Sequence, residues 1–342
     1  MIEPVSNWGI VGHEWAVEHL RRSVARGRVA HAYLLAGPRN IGKTTLALRL
    51  AQALLCERTG GDPCLECRGC RRAERGNHPD LRWTSLAAQA ATERSETASR
   101  ELKIGTVREW QRDIDLRPFE AQQRVFVLED AQALNDSSSN ALLKTLEEPP
   151  PYAVLILSAH GSGELLPTIV SRCRVLRLRP LGRATVAGAL SERYNISEQD
   201  AALLAAWSAG RIGWAFEAAE HPELLEQQQQ RLDELVRLGG ATHVERLRWA
   251  EERAKEYRGE QAAALEWLRL WQSWWRDVLL VQVVQGVGIT HLDRRAALGK
   301  LAAVDSSEVA VFLNRIDAAQ QQLADNVNPQ LAFENLVLHV PQ

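Results

Sequence analysis

The sequence predicts an α/β phosphate-loop domain, a parallel sheet with helices on both faces, followed by an all-helical remainder. Three observations predict it. First, Gly37-Pro-Arg-Asn-Ile-Gly-Lys43-Thr44 fits the pattern G-x-x-x-x-G-K-[ST] between an apolar run, Ala32–Ala36, and a run of strong helix formers, Thr45–Leu55. Second, further short apolar runs alternate with helical stretches as far as Leu178. Third, no strand-like run follows Pro180.

Taken in order, Trp8–His13 is a short apolar lead-in, and Glu14–Arg26 sets Trp15, Val17, Leu20 and Val24 at helical spacings. His31 leads into the first strand. In the loop that follows, glycines let backbone N–H groups turn inward around a phosphate, and the helix N-terminus adds partial positive charge. Gly37, Pro38, Arg39, Asn40, Ile41, Gly42 and Thr45 line this candidate nucleotide site. Lys43 reaches for the β- and γ-phosphates of ATP or ADP, and the Thr44 hydroxyl helps hold Mg²⁺.

Cys56, Cys64, Cys67 and Cys70 come next, spaced C-x₇-C-x₂-C-x₂-C. Four thiolates around one tetrahedral ion make a closed structural zinc shell, with no open position for catalysis. Reduced thiols and a transient disulfide are the alternatives. Asn77–Asp80 reads as a turn, Leu81–Thr84 as a second strand, and Ala87–Arg100 as an exposed, mobile connection. Ile104–Leu116 is a helix ended by Arg117-Pro118.

Arg124–Asp130 is a continuous apolar run closing on two acids, the look of a buried parallel strand reaching a site. Glu129 and Asp130 stand where a phosphate-loop enzyme holds Mg²⁺ and orients water. Asn135 or Asp136 caps a helix over Ser137–Glu148, ended by Pro149-Pro-Pro151. Its Leu142, Leu143 and Leu146 pack, while Glu147 and Glu148 read as solvated or capping charges. Ala153–Ser158 and Arg174–Leu178 complete five strands.

The helical remainder divides into a small unit, about residues 181–222, and a larger one, 223–342, with Pro222 as the break. The Gln227–Gln230 run lies on a helix, since Leu224, Leu225 and Leu232 flank it. Trp267, Trp271, Trp274, Trp275 and Val278 form one wide helical stripe. That stripe reads as a core or subunit-contact face rather than a stacking platform for single-stranded DNA.

Bulk properties exclude several classes. The 342 residues carry a formal net charge of −2, so no overall field draws the chain to nucleic acid or an acidic membrane. Val278–Ile289 is interrupted by Gln282, Gln285 and Gly286 and is too short to span a bilayer. With Glu3, His13 and Glu14 near the start, no signal peptide is expected, and five cysteines, four of them clustered, do not suit a secreted disulfide scaffold. A cytoplasmic protein is the expectation.

Several stretches together resemble the bacterial clamp-loader subunits of the AAA+ class, which serve DNA polymerase III. They are Ile10–His13, His31–Tyr33, the phosphate loop, the four-cysteine module, Asn140–Pro150, Leu165–Cys173 and Asn326–Leu336. The resemblance implies an AAA+ domain over residues 1–180 with an inserted zinc module at 56–70, a helical lid at 181–222 and a helical collar at 223–342. It implies delta and gamma/tau partners in a hetero-pentameric ring, with a sliding clamp and primed DNA reached through the complex. It also makes Arg172 an arginine finger for a neighbour's ATP site, a task suited to a planar, permanently charged group. Cys173 beside it reads as a small buried residue.

Two departures bear on turnover. The family's hydrolysing members end the acidic strand Asp-Glu, where this chain has Glu129-Asp130. They carry a lid arginine where this chain has Trp214, with Arg211 three residues earlier. The resemblance therefore implies a stator that donates its finger, with ATP binding but weak or absent hydrolysis of its own, and no polymerase site in the chain. The rivals are an ATP-hydrolysing gamma/tau-type motor and a free-standing zinc-containing nucleic-acid binder.

Overall fold

The computed structural model describes residues 8–341 except 59, 94–100, 260, 285–287 and 326. Glu3, the second half of the 87–100 connection, Gln285-Gly286 and Asn326 lie outside the described residues. The chain divides into two compact units, one made of residues 1–185 with 210–214, the other of 186–209 with 215–342.

The first unit is built on five strands: β1 (Ala32–Ala36), β2 (Leu81–Thr84), β3 (Arg124–Leu128), β4 (Ala153–Ala159) and β5 (Arg174–Arg177). They lie in the order β2-β3-β4-β1-β5, every neighbouring pair parallel. Side chains alternate across the pleat, so each strand feeds two cores. Tyr33, Leu35, Val125, Val127, Val154 and Ile156 pack with Val17 and Leu20 of α1 (Glu14–Ala25) and Leu46 and Leu50 of α2 (Lys43–Leu55). On the opposite face Leu34, Phe126, Leu155 and Leu157 join a second set of helices. These are α5 (Ile104–Ile114), α6 (Asp136–Glu147) and the short α7 (Pro167–Val170), whose Val107, Trp110, Leu142, Leu146 and Ile169 fill that core. Coverage on both faces explains why the strands read as continuous apolar runs instead of alternating ones.

The α3 helix (Arg68–Glu74) closes the cysteine module, and α4 (Leu86–Glu93) corrects one expectation. Leu86–Glu93, assigned from sequence largely to a mobile connection, is helical because its alanines favour helix and Gln89 is buried and bonded on both sides. Gln89 Nε2 donates to the Glu101 carbonyl at 2.9 Å, while Oε1 accepts from Lys103 N–H at 3.0 Å and Thr106 Oγ1 at 2.8 Å. The predicted turn at Asn77–Asp80 is an anchor: buried Asp80 accepts N–H bonds from Phe119, Glu120 and Ala121 at 2.6–2.9 Å. Burial alone would raise its pKa, but those three donors hold the carboxyl below its ordinary value.

Helices follow β5 to the end: α8 (Arg183–Tyr194), α9 (Glu198–Trp207), α10 (Ile212–Glu220), α11 (Glu223–Leu238), α12 (His243–Gly259), α13 (Gln261–Val284), α14 (Arg295–Leu301), α15 (Ser306–Ala324) and α16 (Pro329–Leu338). The Gln227–Gln230 run lies within α11 as expected. The tryptophan stripe of α13 is core. Trp267, Trp271, Trp274, Trp275 and Val278 are all buried, and Trp271 meets Trp249 and Phe312 edge-on at 5.5 and 5.1 Å. Buried rings offer no face for base stacking.

In the same unit Asp277, on α13, is fully buried and receives N–H bonds from Thr290 at 2.6 Å and His291 at 2.9 Å, plus the His291 ring at 2.8 Å. Burial opposes its charge, but His291, through ring and backbone, and Arg276 outweigh that and depress its pKa. This network pins the segment after α13 against its middle.

Candidate functional site

Each predicted site residue of the phosphate loop sits at the carboxyl end of the sheet, where α/β folds place ligands. β1 ends at Ala36, the loop turns over Gly37–Gly42, and α2 begins at Lys43. Asn40 and Gly42 take φ of +58° and +102°, the left-handed region that lets successive N–H groups face one way. Gly37 permits close packing at the loop's base: a Cβ there would lie 2.5 Å from the Leu178 carbonyl.

Lys43 Nζ donates to the Gly37 and Pro38 carbonyls, both at 2.7 Å, so the ammonium is gathered into the loop. Burial is the main cause that lowers its pKa to about 8, with Arg39 assisting and Asp130, Glu164 and Glu129 opposing. The Thr44 hydroxyl donates to Glu129 Oε1 at 2.5 Å. Thus the residue expected to help hold Mg²⁺ and the first acid after β3 share one spot, 85 positions apart in sequence. Asp130 adopts φ +55° and begins a short 3₁₀ turn, with its Oδ1 accepting from Gln132 Nε2 at 3.3 Å.

Two neighbours of the loop went unread in the sequence. His160, just past β4, accepts from Arg39 Nε through its Nε2 at 3.0 Å. Gly213, in the first turn of α10, donates its N–H to the Asn40 carbonyl at 2.8 Å, and a Cβ at Gly213 would lie 2.9 Å from that oxygen. The Gly210-x-x-Gly213 spacing was the available signal for this contact. Trp214 next to it is buried, and the Arg211 guanidinium stands 5.8 Å above its ring. An indole therefore occupies the position implied for a lid arginine, and it brings no charge for a phosphate.

The four cysteines converge. Their Sγ atoms all lie within 4.8 Å of one another, with Cys56–Cys67 at 4.0 Å and Cys64–Cys70 at 3.9 Å. A tetrahedral ion with metal–sulfur bonds of about 2.3 Å needs sulfurs roughly 3.8 Å apart, so the group can hold a metal ion. Backbone N–H groups of Cys67 and Cys70 point at Cys64 Sγ and Cys67 Sγ, each at 3.3 Å. Burial opposes a thiolate at Cys64, but the N–H groups of Cys67 and Glu66 prevail and bring its pKa to about 6. The chain turns sharply to make this cup. Leu65 has φ +61°, and Gly61, at φ +90°, passes where a Cβ would be 2.6 Å from the Arg21 carbonyl. Gln52 of α2 ties the module down, donating to the Cys70 carbonyl at 3.0 Å and Glu74 at 2.6 Å.

Arg172 makes its polar contacts with α6 and α7. Directly after α7, half-exposed, it pairs through one terminal nitrogen with Glu147 Oε1 at 2.8 Å and donates from the other to the Thr168 carbonyl at 2.9 Å. Glu147 is exposed, as expected of a solvated charge, and is also an ion-pair partner, because the end of α6 lies beside α7. Cys173 is half-buried, and burial pushes its thiol up to about 12.

A family model described as DNA polymerase III, delta subunit, matches residues 12–182. The delta' subunit of DNA polymerase III from Bacillus subtilis (strain 168) is 30% identical over 326 residues, covering 93% of this chain and 93% of that one. The delta' subunit from Pseudomonas aeruginosa is 40% identical over 155 residues, 43% of each. The tau/gamma subunit from Haemophilus influenzae is 33% identical over 199 residues, 57% of this chain but 27% of that protein. Among solved structures, the Thermotoga maritima RuvB Holliday junction branch migration motor is 16% identical with a TM-score of 0.42, covering 90% of this chain and 87% of that one. Among the described residues, no helix is long and apolar enough to cross a membrane.

Proposed function

This chain belongs to the delta-prime family of bacterial DNA polymerase III clamp-loader subunits, and we propose that it is the stationary member of its ring, supplying Arg172 to a neighbour's ATP site. The observation that carries this reading is the placement of Arg172: half-exposed, fixed by two partners, and not engaged with the chain's own phosphate loop. A guanidinium so presented can meet the charge that develops on a phosphoryl group transferring in the next subunit. The ring would contain delta and gamma/tau subunits and place a sliding clamp on primed DNA. The lid at 181–222 and the collar at 223–342 would serve ring assembly.

For its own nucleotide, the loop backbone, Lys43 and Thr44 suit ATP or ADP, and Thr44 with Glu129 suits a Mg²⁺ ion between them. Trp214 and the Glu-Asp order argue for binding without efficient turnover. Zinc is the ion that four thiolates at these separations suit best, in a structural role. Arg172→Ala, assembled with wild-type partners, should lower the DNA-stimulated ATPase of the ring by roughly a thousandfold or more at the neighbouring site. Normal turnover by that assembly would overturn the assignment. The contact between Thr44 and Glu129 favours a second reading, a motor with its own hydrolysis. In that case Lys43→Ala, with the partners' sites intact, would remove a share of turnover.

A further inference from the structure

Resting on the reading of Arg172 as a finger, we propose that Glu147 is its positioning residue, which holds the guanidinium in the orientation that the neighbouring phosphate meets. Neither helix stability nor charge pairing at a surface accounts for Glu147. It lies in the last turn of α6, where a carboxylate opposes the helix dipole. Its side chain is 48% exposed and that of Arg172 35%, a setting in which an ion pair contributes little to stability. What the pair does contribute is geometry. One terminal nitrogen of Arg172 is tethered to α6 through Glu147 and the other to α7 through the Thr168 carbonyl, so the guanidinium plane is held by two elements.

Both elements are rigid. Ile169 of α7 is fully buried in the same core as Leu142 and Leu146 of α6, and Pro167 sets the first turn of α7. Of the five N–H donors of a guanidinium, two are spent on these tethers and about three remain for a phosphoryl oxygen. A free arginine side chain gives up rotamer freedom on being fixed, and here that ordering precedes the encounter. A displacement of about 1 Å in such a group can cost a hundredfold in rate.

The test uses the assembled ring with wild-type partners, sliding clamp and primed DNA, and reads kcat and KM for ATP. Glu147→Ala should lower kcat roughly ten- to a hundredfold while KM stays within about twofold, as for a group acting only in the transition state. Glu147→Gln, which keeps the shape and an acceptor oxygen, should recover most of the loss. Adding Glu147→Ala to Arg172→Ala should change nothing further, since Glu147 acts through Arg172 alone. A mere folding defect would lower the melting temperature of the isolated chain and multiply with Arg172→Ala, and that pattern would overturn the proposal. Wild-type turnover by Glu147→Ala beside a disabled Arg172→Ala would sink the positioning role and leave the finger standing. Normal turnover by Arg172→Ala would end both.

Discussion

Removing one ligand from the cysteine cluster should unfold the module locally and leave the sheet standing. Cys70→Ser is the sharpest change, because Cys70 is fully buried and its carbonyl also receives the Gln52 amide. Residues 56–75 offer few large apolar side chains: among the described ones Pro63, Cys70 and Ala73 are apolar and buried. On the proposed zinc reading, the site would supply about 10–16 kcal/mol of apparent binding free energy, so the ion rather than packing should decide whether this segment is ordered. The loss does not pass in full to the rest of the unit. Leu55, at the end of α2, is 4% exposed, and Gly69 packs so near it that a Cβ would lie 2.3 Å from the Leu55 carbonyl. Uncovering one such leucine costs about 1.5–3 kcal/mol. At about 2–4 °C per kcal/mol for a unit of this size, the melting temperature should fall by roughly 3–12 °C. Elemental analysis should find one zinc per wild-type chain and none in Cys70→Ser, and cobalt substitution should give thiolate charge-transfer absorbance only in wild type. Trypsin offers an independent readout through Arg58, Arg68, Arg71, Arg72 and Arg75, which should be cut in the variant and protected in the zinc-loaded chain. Protection that is identical with and without zinc would refute the reasoning.

Nucleotide binding should depend on Lys43 and on pH. Lys43 titrates near 8, so it is mostly protonated at neutral pH, and ADP affinity measured by fluorescence should weaken as pH rises through about 8. Lys43→Ala should bind at least about tenfold more weakly and lose that pH step. Asp277 makes the helical unit sensitive to acid. Its folded pKa lies below the unfolded value, so its contribution is present above about pH 4 and disappears as pH falls through the folded value. Asp277→Ala should cost about 3–5 kcal/mol near pH 7, since it strands a buried partner, and chemical denaturation over a series of falling pH should show the gap between variant and wild type closing once pH passes through the folded value.

Why some of this was readable from the sequence and some was not comes down to range. The phosphate loop and the C-x₂-C spacers declare themselves because their chemistry is local: a turn, a helix start, a knuckle. The five strands were legible because burial on both faces leaves near-uniform apolar runs, and Asn135 could be recognised as a cap because its partner, Ser138, is three residues away. Leu86–Glu93 misled because its alanines look like a neutral linker until Gln89 is seen bonding to Glu101, Lys103 and Thr106. Glu147 was legible only in part, for a related reason. A glutamate before three prolines is most economically a solvated charge, and only the packing of α6 on α7 carries it to Arg172, 25 positions on. The Gly213–Asn40 bond spans 173 positions and left no trace beyond the Gly210-x-x-Gly213 spacing. In each of these cases a polar side chain or backbone group has its partner on another element. Such partnerships are set by tertiary packing and not by local spacing. Periodicity and composition, which record burial, therefore say least about them, and the test of Glu147 has to be made on rate rather than on melting temperature.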